Sequence, residues 1–157
     1  MIGVVLAGAA GTRQLDGRPL ASYPAAALAG VCERVAMVCG PDIPDLPGTE
    51  RWHGESSGAL GAIVHALERA GAPVLVCAAE MPFVTTDACR TLLGAAGSTP
   101  AVVAAAEGVV HPTFGLYAPA ALDPLRAAGP HMSLVRAVEA LDPVRVALPP
   151  ALLRSAD

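Results

Sequence analysis

Gly8, Gly11, Arg13 and Arg18 follow directly on a short apolar run, in the stretch VVLAGAAGTRQLDGRPL that occupies residues 4–20. A glycine-rich turn behind a buried first strand can offer successive backbone N–H groups to an anion, and arginine adds a planar fork of donors for phosphate oxygens. The spelling matches neither common phosphate loop. A P-loop needs GxxxxGK[ST], but Gly8 and Gly11 are too close together and the chain contains no lysine. A dinucleotide fingerprint needs GxGxxG and an acidic partner further on, and Gly8-Ala9-Ala10-Gly11 supplies neither. By themselves these residues leave two readings open: an anion cradle, or an ordinary strand-to-helix turn with a surface arginine. All ten basic residues are arginines, so any positive charge the chemistry needs must be a guanidinium.

Glu80 stands at the end of a second apolar run, just ahead of Met81-Pro82, a better candidate for chemistry than an acid in an arbitrary loop. His111, next to Pro112, faces a ligand or closes a turn. Asp16 reads as a turn residue and His65 as a surface or half-buried residue without a task.

The elements that must position these groups are legible as alternating patterns. Apolar runs at 2–6, 34–38, 74–78, 101–105, 113–117 and 144–147 have strand character. Residues 60–70 place Leu60, Ile63, Val64 and Leu67 on one helical face, and Gly71 ends the helix. Residues 86–94 start with a threonine cap and group Cys89, Leu92 and Leu93. Ser133 caps a segment whose Leu134, Val135, Val138 and Leu141 share a face, stopped by Pro143. The stretch 40–48, with Pro41, Pro44 and Pro47, is a loop. Such alternation predicts an α/β, three-layer architecture: a mostly parallel sheet with helices on both faces. No repeat or linker divides the chain, which predicts a single domain over 1–157. Ligands of such sheets lie beyond the carboxyl ends of the strands, which directs attention to residues 8–18, Gly40, 79–83 and His111.

Composition narrows the function classes. Hydrophobic residues make up 54% and aromatics 3%, so the core must be built from Ala, Val and Leu. Charged residues, at 15%, leave a surface rich in small apolar groups, compatible with a homo-oligomer. A net charge of -4 argues against a nucleic-acid surface. No apolar run is long enough to cross a bilayer. Ala7-Gly8-Ala9 has the look of a signal-peptidase site, but the apolar stretch before it is short and lacks a basic start, so the expectation is a cytoplasmic protein. Cys32, Cys39, Cys77 and Cys89 form no CxxC pair and are expected to be buried small hydrophobes.

Four segments, in order, resemble the nucleotidyltransferase family that includes molybdenum cofactor guanylyltransferase. The opening is similar to its LAGGxSxRMGxxKxL signature, with Leu6-Ala7-Gly8, Gly11, Arg13 and Leu20 in step and Arg18 at the family's lysine. Residues 58–63, GALGAI, resemble GPLAGI; residues 74–83, VLVCAAEMPF, resemble VLVxACDMPF; His111-Pro112-Thr113 resembles the HPT segment that precedes a strand. The resemblance implies a Rossmann-like nucleotidyltransferase fold. It implies a nucleotide site at Leu6, Ala7, Gly8, Ala9, Gly11, Arg13, Arg18 and Gly58, with Arg13 and Arg18 as catalytic cations and Glu80 as the Mg²⁺ ligand. It implies GTP or another nucleoside triphosphate as donor, a phosphorylated acceptor such as molybdopterin, and release of pyrophosphate. The loop 55–57 then offers Ser57 as an N-cap or a contact to the base. The chain departs from the pattern at several points. Ala9 replaces a glycine, Gln14-Leu15 replace Met-Gly, and Glu80 replaces an aspartate. The closing NxNTPED is barely visible in residues 153–157. Two readings follow: an enzyme re-tuned around Arg and Glu, or a catalytically impaired relative that binds a nucleotide or a partner. The missing fingerprint disfavours a nicotinamide oxidoreductase. In either surviving reading, Arg13, Arg18 and Glu80 are expected to converge on one pocket.

Overall fold

The chain opens with β1 (Ile2–Ala7), whose residues alternate between the two faces of the sheet. A 3-10 turn at Ala9–Thr12 leads into a small hairpin of β2 (Gln14–Leu15) and β3 (Arg18–Pro19). Its tip, Asp16-Gly17, has φ of 52° and 76°, the conformation that Asp-Gly favours in a tight two-residue hairpin. There follow α1 (Ser22–Ala29), β4 (Arg34–Cys39), β5 (Glu50–His53), α2 (Gly58–Ala70) and β6 (Val74–Ala78). The rest is α3 (Thr86–Gly94), β7 (Ala101–Ala106), β8 (Val109–Tyr117), α4 (Leu122–Ala128), α5 (Leu134–Glu139) and β9 (Val144–Ala147), closed by a 3-10 turn at Pro150–Leu153. The computed structural model describes residues 1–54, 58–129 and 131–156.

These strands form a seven-stranded sheet in the order β5-β4-β1-β6-β8-β7-β9. Only β8 runs against its neighbours, so the sheet is mostly parallel as the alternation predicts. On one face Val5, Met37, Leu75 and Phe114 pack with Leu28 of α1 and Leu92 of α3. On the other, Val4, Val38, Val76 and Tyr117 pack with Ile63 of α2, Leu125 of α4 and Val138 of α5. Burying the central strands on both faces is what gives their runs a continuous apolar character.

Local chemistry sets several element ends. Thr85, not Thr86, caps α3: its Oγ1 accepts from the Ala88 N–H at 3.1 Å. Thr86 instead donates its hydroxyl to the Ala27 carbonyl at 3.0 Å, joining α3 to the end of α1. Ser133 caps α5 by accepting from the Arg136 N–H at 3.2 Å, as its sequence position predicts.

The four cysteines are buried and free. Burial pushes the Cys32 thiol up to about 11 and the Cys89 thiol up to about 12. At pH 8 a disulfide reagent should therefore titrate no thiol quickly in the native protein and all four after unfolding; rapid native labelling would contradict the packing. The same shifts fix a pH dependence. Unfolded thiols lose their protons near 9.0, whereas these two keep theirs until about 11 and 12, so their contribution to stability is complete below pH 9 and is lost on the way to pH 12.

Candidate functional site

Strands β4, β1 and β6 lie side by side and end together, at Cys39, Ala7 and Ala78. The Ala79 N–H donates to the Leu6 carbonyl at 2.9 Å and carries that pairing one step beyond the strands. The turn after β1 is closed by the Gly11 N–H donating to the Gly8 carbonyl at 2.9 Å. Gly11 sits in a tight spot: a Cβ there would lie 3.1 Å from Ala7 and from two carbons of Ile43, which would have to yield by a few tenths of an ångström. At the start of α2, Gly58 takes φ of 87°, a conformation that side chains disfavour.

Beyond the strand ends lies a cavity of about 320 Å³. Leu6, Val38 and Ala62 give it an apolar floor, while Gly8, Gly58 and Glu80 stand around its rim. Gly58 and Ala59 bring the N-terminal end of a thirteen-residue helix to the cavity, with the partial positive charge of its unpaired amides. Glu80 is half-buried and makes no ion pair among the described residues.

Thr113 reaches the same cavity through an irregularity in β8. Opposite β7, Gly115 pairs with Val103 but His111 pairs with Ala104, so Pro112, Thr113 and Phe114 have no partner on that side. Proline has no N–H to give a ladder, which makes Pro112 a natural site for a bulge. The Tyr117 hydroxyl donates to the Pro112 carbonyl and the Thr113 hydroxyl donates to Met81 Sδ at 3.5 Å, holding the bulge against the Glu80 turn. His111 is half-buried and lines no part of the cavity; Thr113, two residues on, takes the place at which the sequence pointed to a histidine.

Of the predicted nucleotide residues, Leu6, Ala7, Gly8 and Gly58 meet at the cavity together with Glu80. Gly11 packs beneath the turn, and Ala9 begins the 3-10 turn. The arginines are not brought there. Arg13 is exposed at the end of the turn, its carbonyl accepting from the Leu20 N–H at 2.8 Å. Arg18 lies in β3 with its guanidinium 4.9 Å over the ring of Tyr23, and it borders a separate hollow of about 370 Å³ beside α1. The tight Asp16-Gly17 turn and the pull of the aromatic face account for that placement. Of the three groups expected to converge, Glu80 lines the cavity while Arg13 and Arg18 do not. His65 is half-buried on α2 and is not part of the cavity lining. The proposed Ser57 cap and the base contact at 55–57 lie outside the described residues. The closing segment was the least legible in the sequence, yet the Ala156 N–H donates to the Glu80 carbonyl at 3.0 Å.

A mostly parallel sheet, a glycine turn after its first strand and a carboxylate after its middle strand define an α/β domain with a cavity at the strand ends. Residues 3–146 match the model of the MobA-like NTP transferase domain, and the chain belongs to that family. Solved structures share its fold. The 2-C-methyl-D-erythritol 4-phosphate cytidylyltransferase of Thermus thermophilus aligns with a TM-score of 0.74 and 21% identity over 98% of this chain and 91% of that one. Molybdopterin-guanine dinucleotide biosynthesis protein A of Archaeoglobus fulgidus aligns with a TM-score of 0.73 and 21% identity over 94% of this chain and 83% of that one. A Mycobacterium tuberculosis protein solved as a manganese complex aligns with a TM-score of 0.70 and 15% identity over 94% and 87%. No curated protein gives a significant match. Among the described residues no helix is long and apolar enough to cross a membrane.

Proposed function

We propose that this chain is a cytoplasmic, Mg²⁺-dependent nucleotidyltransferase that transfers GMP from GTP to molybdopterin with release of pyrophosphate. The observation that carries the reading is the meeting of Gly8, Gly58 and Glu80 at one cavity, in a member of an NTP transferase family. An oxygen of the acceptor phosphate attacks the α-phosphorus, a new P–O bond forms, and the bond to the bridging oxygen breaks, so that pyrophosphate leaves with the electron pair. The protein's task is to hold the reactants in line and to balance the growing negative charge. The amides ahead of Gly11 cradle phosphate oxygens, because the Gly11 N–H is spent on Gly8 within the turn. The apolar floor takes the nucleoside. Arg13, exposed at the end of the turn, would have to swing toward the cavity to meet the outer phosphates, and Arg18 would add a second cation once it leaves the Tyr23 ring.

Glu80 suits a hard cation, since Mg²⁺ is commonly held by one or two carboxylates together with substrate phosphates. Among the described residues no group of three or more His, Cys, Asp or Glu side chains could hold a metal unaided. In this reading Glu80 would hold Mg²⁺ jointly with the triphosphate, and the metal would supply charge neutralisation at the phosphates.

A specific observation favours a second reading, in which the chain binds a nucleotide without turning it over: the guanidinium at the family's lysine position lies on Tyr23 and borders another hollow. Calorimetry with GTP, CTP and Mg²⁺, followed by pyrophosphate detection with molybdopterin, separates the two. Release of pyrophosphate with GTP supports the enzyme, binding without release supports the second reading, and no binding overturns both. Arg13→Ala should weaken triphosphate binding about tenfold, the scale of one lost charge-assisted contact of about 1.5 kcal/mol, and leave monophosphate binding nearly unchanged. Equal losses for the two ligands would remove Arg13 from the outer phosphates.

A further inference from the structure

The closing segment packs in the same core layer as the Glu80 turn and meets it at two points. Leu153, the last residue of the 3-10 turn Pro150–Leu153, is buried in the core layer that holds Ala79, Met81 and Val84. The Arg154 guanidinium lies 5.5 Å over the ring of Phe83, which stays 39% exposed. The Ala156 N–H then donates to the carbonyl of Glu80 itself at 3.0 Å. Apart from this bond, the backbone around Glu80 is tied by the Ala79 N–H to Leu6 and the Met81 N–H to Ala78, one residue to either side. Glutamate has one more rotatable bond than the aspartate of the family pattern, so the position of its carboxylate depends more heavily on how firmly its backbone is fixed.

We propose that residues 153–156 form a strap that positions Glu80, with Ala156 as the positioning residue through its N–H and with the Arg154–Phe83 stack holding the strap down. The inference rests on the reading of Glu80 as the residue that meets metal and triphosphate. It assigns a task to the segment in which the family's closing motif has been lost, and the task is carried by a backbone donor that side-chain identity does not reveal.

Ala156→Pro in the full chain removes that N–H and alters no charge. Its affinity for GTP with Mg²⁺ should fall about tenfold, the low end of what partners of metal-binding carboxylates contribute. Its affinity for GTP in EDTA and its melting temperature should stay as they are. A chain ended after Leu153, which keeps the buried anchor, should lose at least as much. Combined with Glu80→Gln, Ala156→Pro should add no further loss, since both act through one group. Hydrogen exchange gives a readout that needs no nucleotide: amides 79–81 should exchange at least about tenfold faster in Ala156→Pro. Unchanged exchange, or an equal loss with and without Mg²⁺, overturns the strap. If Glu80→Gln weakens Mg²⁺·GTP binding and Ala156→Pro does not, the strap alone fails. If neither does, the reading of Glu80 fails and takes the strap with it.

Discussion

Glu80→Gln should lower Mg²⁺-dependent pyrophosphate release by about 10²–10³-fold, the range found when one group that stabilises developing charge is removed. The amide keeps the size and hydrogen-bonding reach of the acid but cannot neutralise a divalent cation. Glu80 has no ion-pair partner among the described residues, so its loss strands no buried charge. Stability should accordingly move by no more than about 0.5 kcal/mol. Binding of GTP in EDTA should be equal to or slightly better than that of the parent, because a negative charge has left the rim of a phosphate site. A variant that keeps its Mg²⁺-dependent activity would take the metal away from Glu80.

Trp52→Ala should cost about 3–5 kcal/mol, the scale for truncating a large buried aromatic. Trp52 is the one tryptophan of the chain, is 2% exposed, and lies opposite Val38 in the pairing of β5 with β4. The Arg69 guanidinium covers it from α2, 5.5 Å from the ring centroid. Against a total stability of about 5–15 kcal/mol this loss leaves little reserve. Urea unfolding followed by circular dichroism should show a much lower midpoint with an unchanged slope. Because Val38 belongs to the cavity floor, nucleotide affinity should fall too, even though Trp52 does not line the cavity. A shift below about 1 kcal/mol would show that β5 is not anchored by this side chain.

The Trp52 strand also illustrates what the sequence could not announce. The buried central strands are nearly continuous apolar runs, rich in Val and Ala, and their positions are plain from composition alone. An edge strand spelled ERWH buries a single tryptophan and shows no run. Helix α1, SYPAAALA, is apolar nearly all round, so no face stands out from the rest. Helix α4 is short and carries Pro124 in its first turn. At the site, Gly58 was marked only by the family resemblance, whereas the turn at Gly8 and Glu80 were legible because their positions follow the ends of apolar runs. Thr113 was not, since it reaches the cavity only through a bulge whose register depends on β7. The direction of Arg18 was hidden for a related reason: a guanidinium's direction is set by its neighbours in space, here the Tyr23 ring, and spacing along the chain does not report it.

The most direct test is a crystal structure with a non-hydrolysable GTP analogue and Mg²⁺. The triphosphate is expected against the turn that begins at Gly8, the nucleoside between Gly58 and the floor of Leu6 and Val38, and the cation within bonding distance of a Glu80 oxygen. Nucleotide seated in the hollow beside Arg18, with the strand-end cavity empty, would contradict the account.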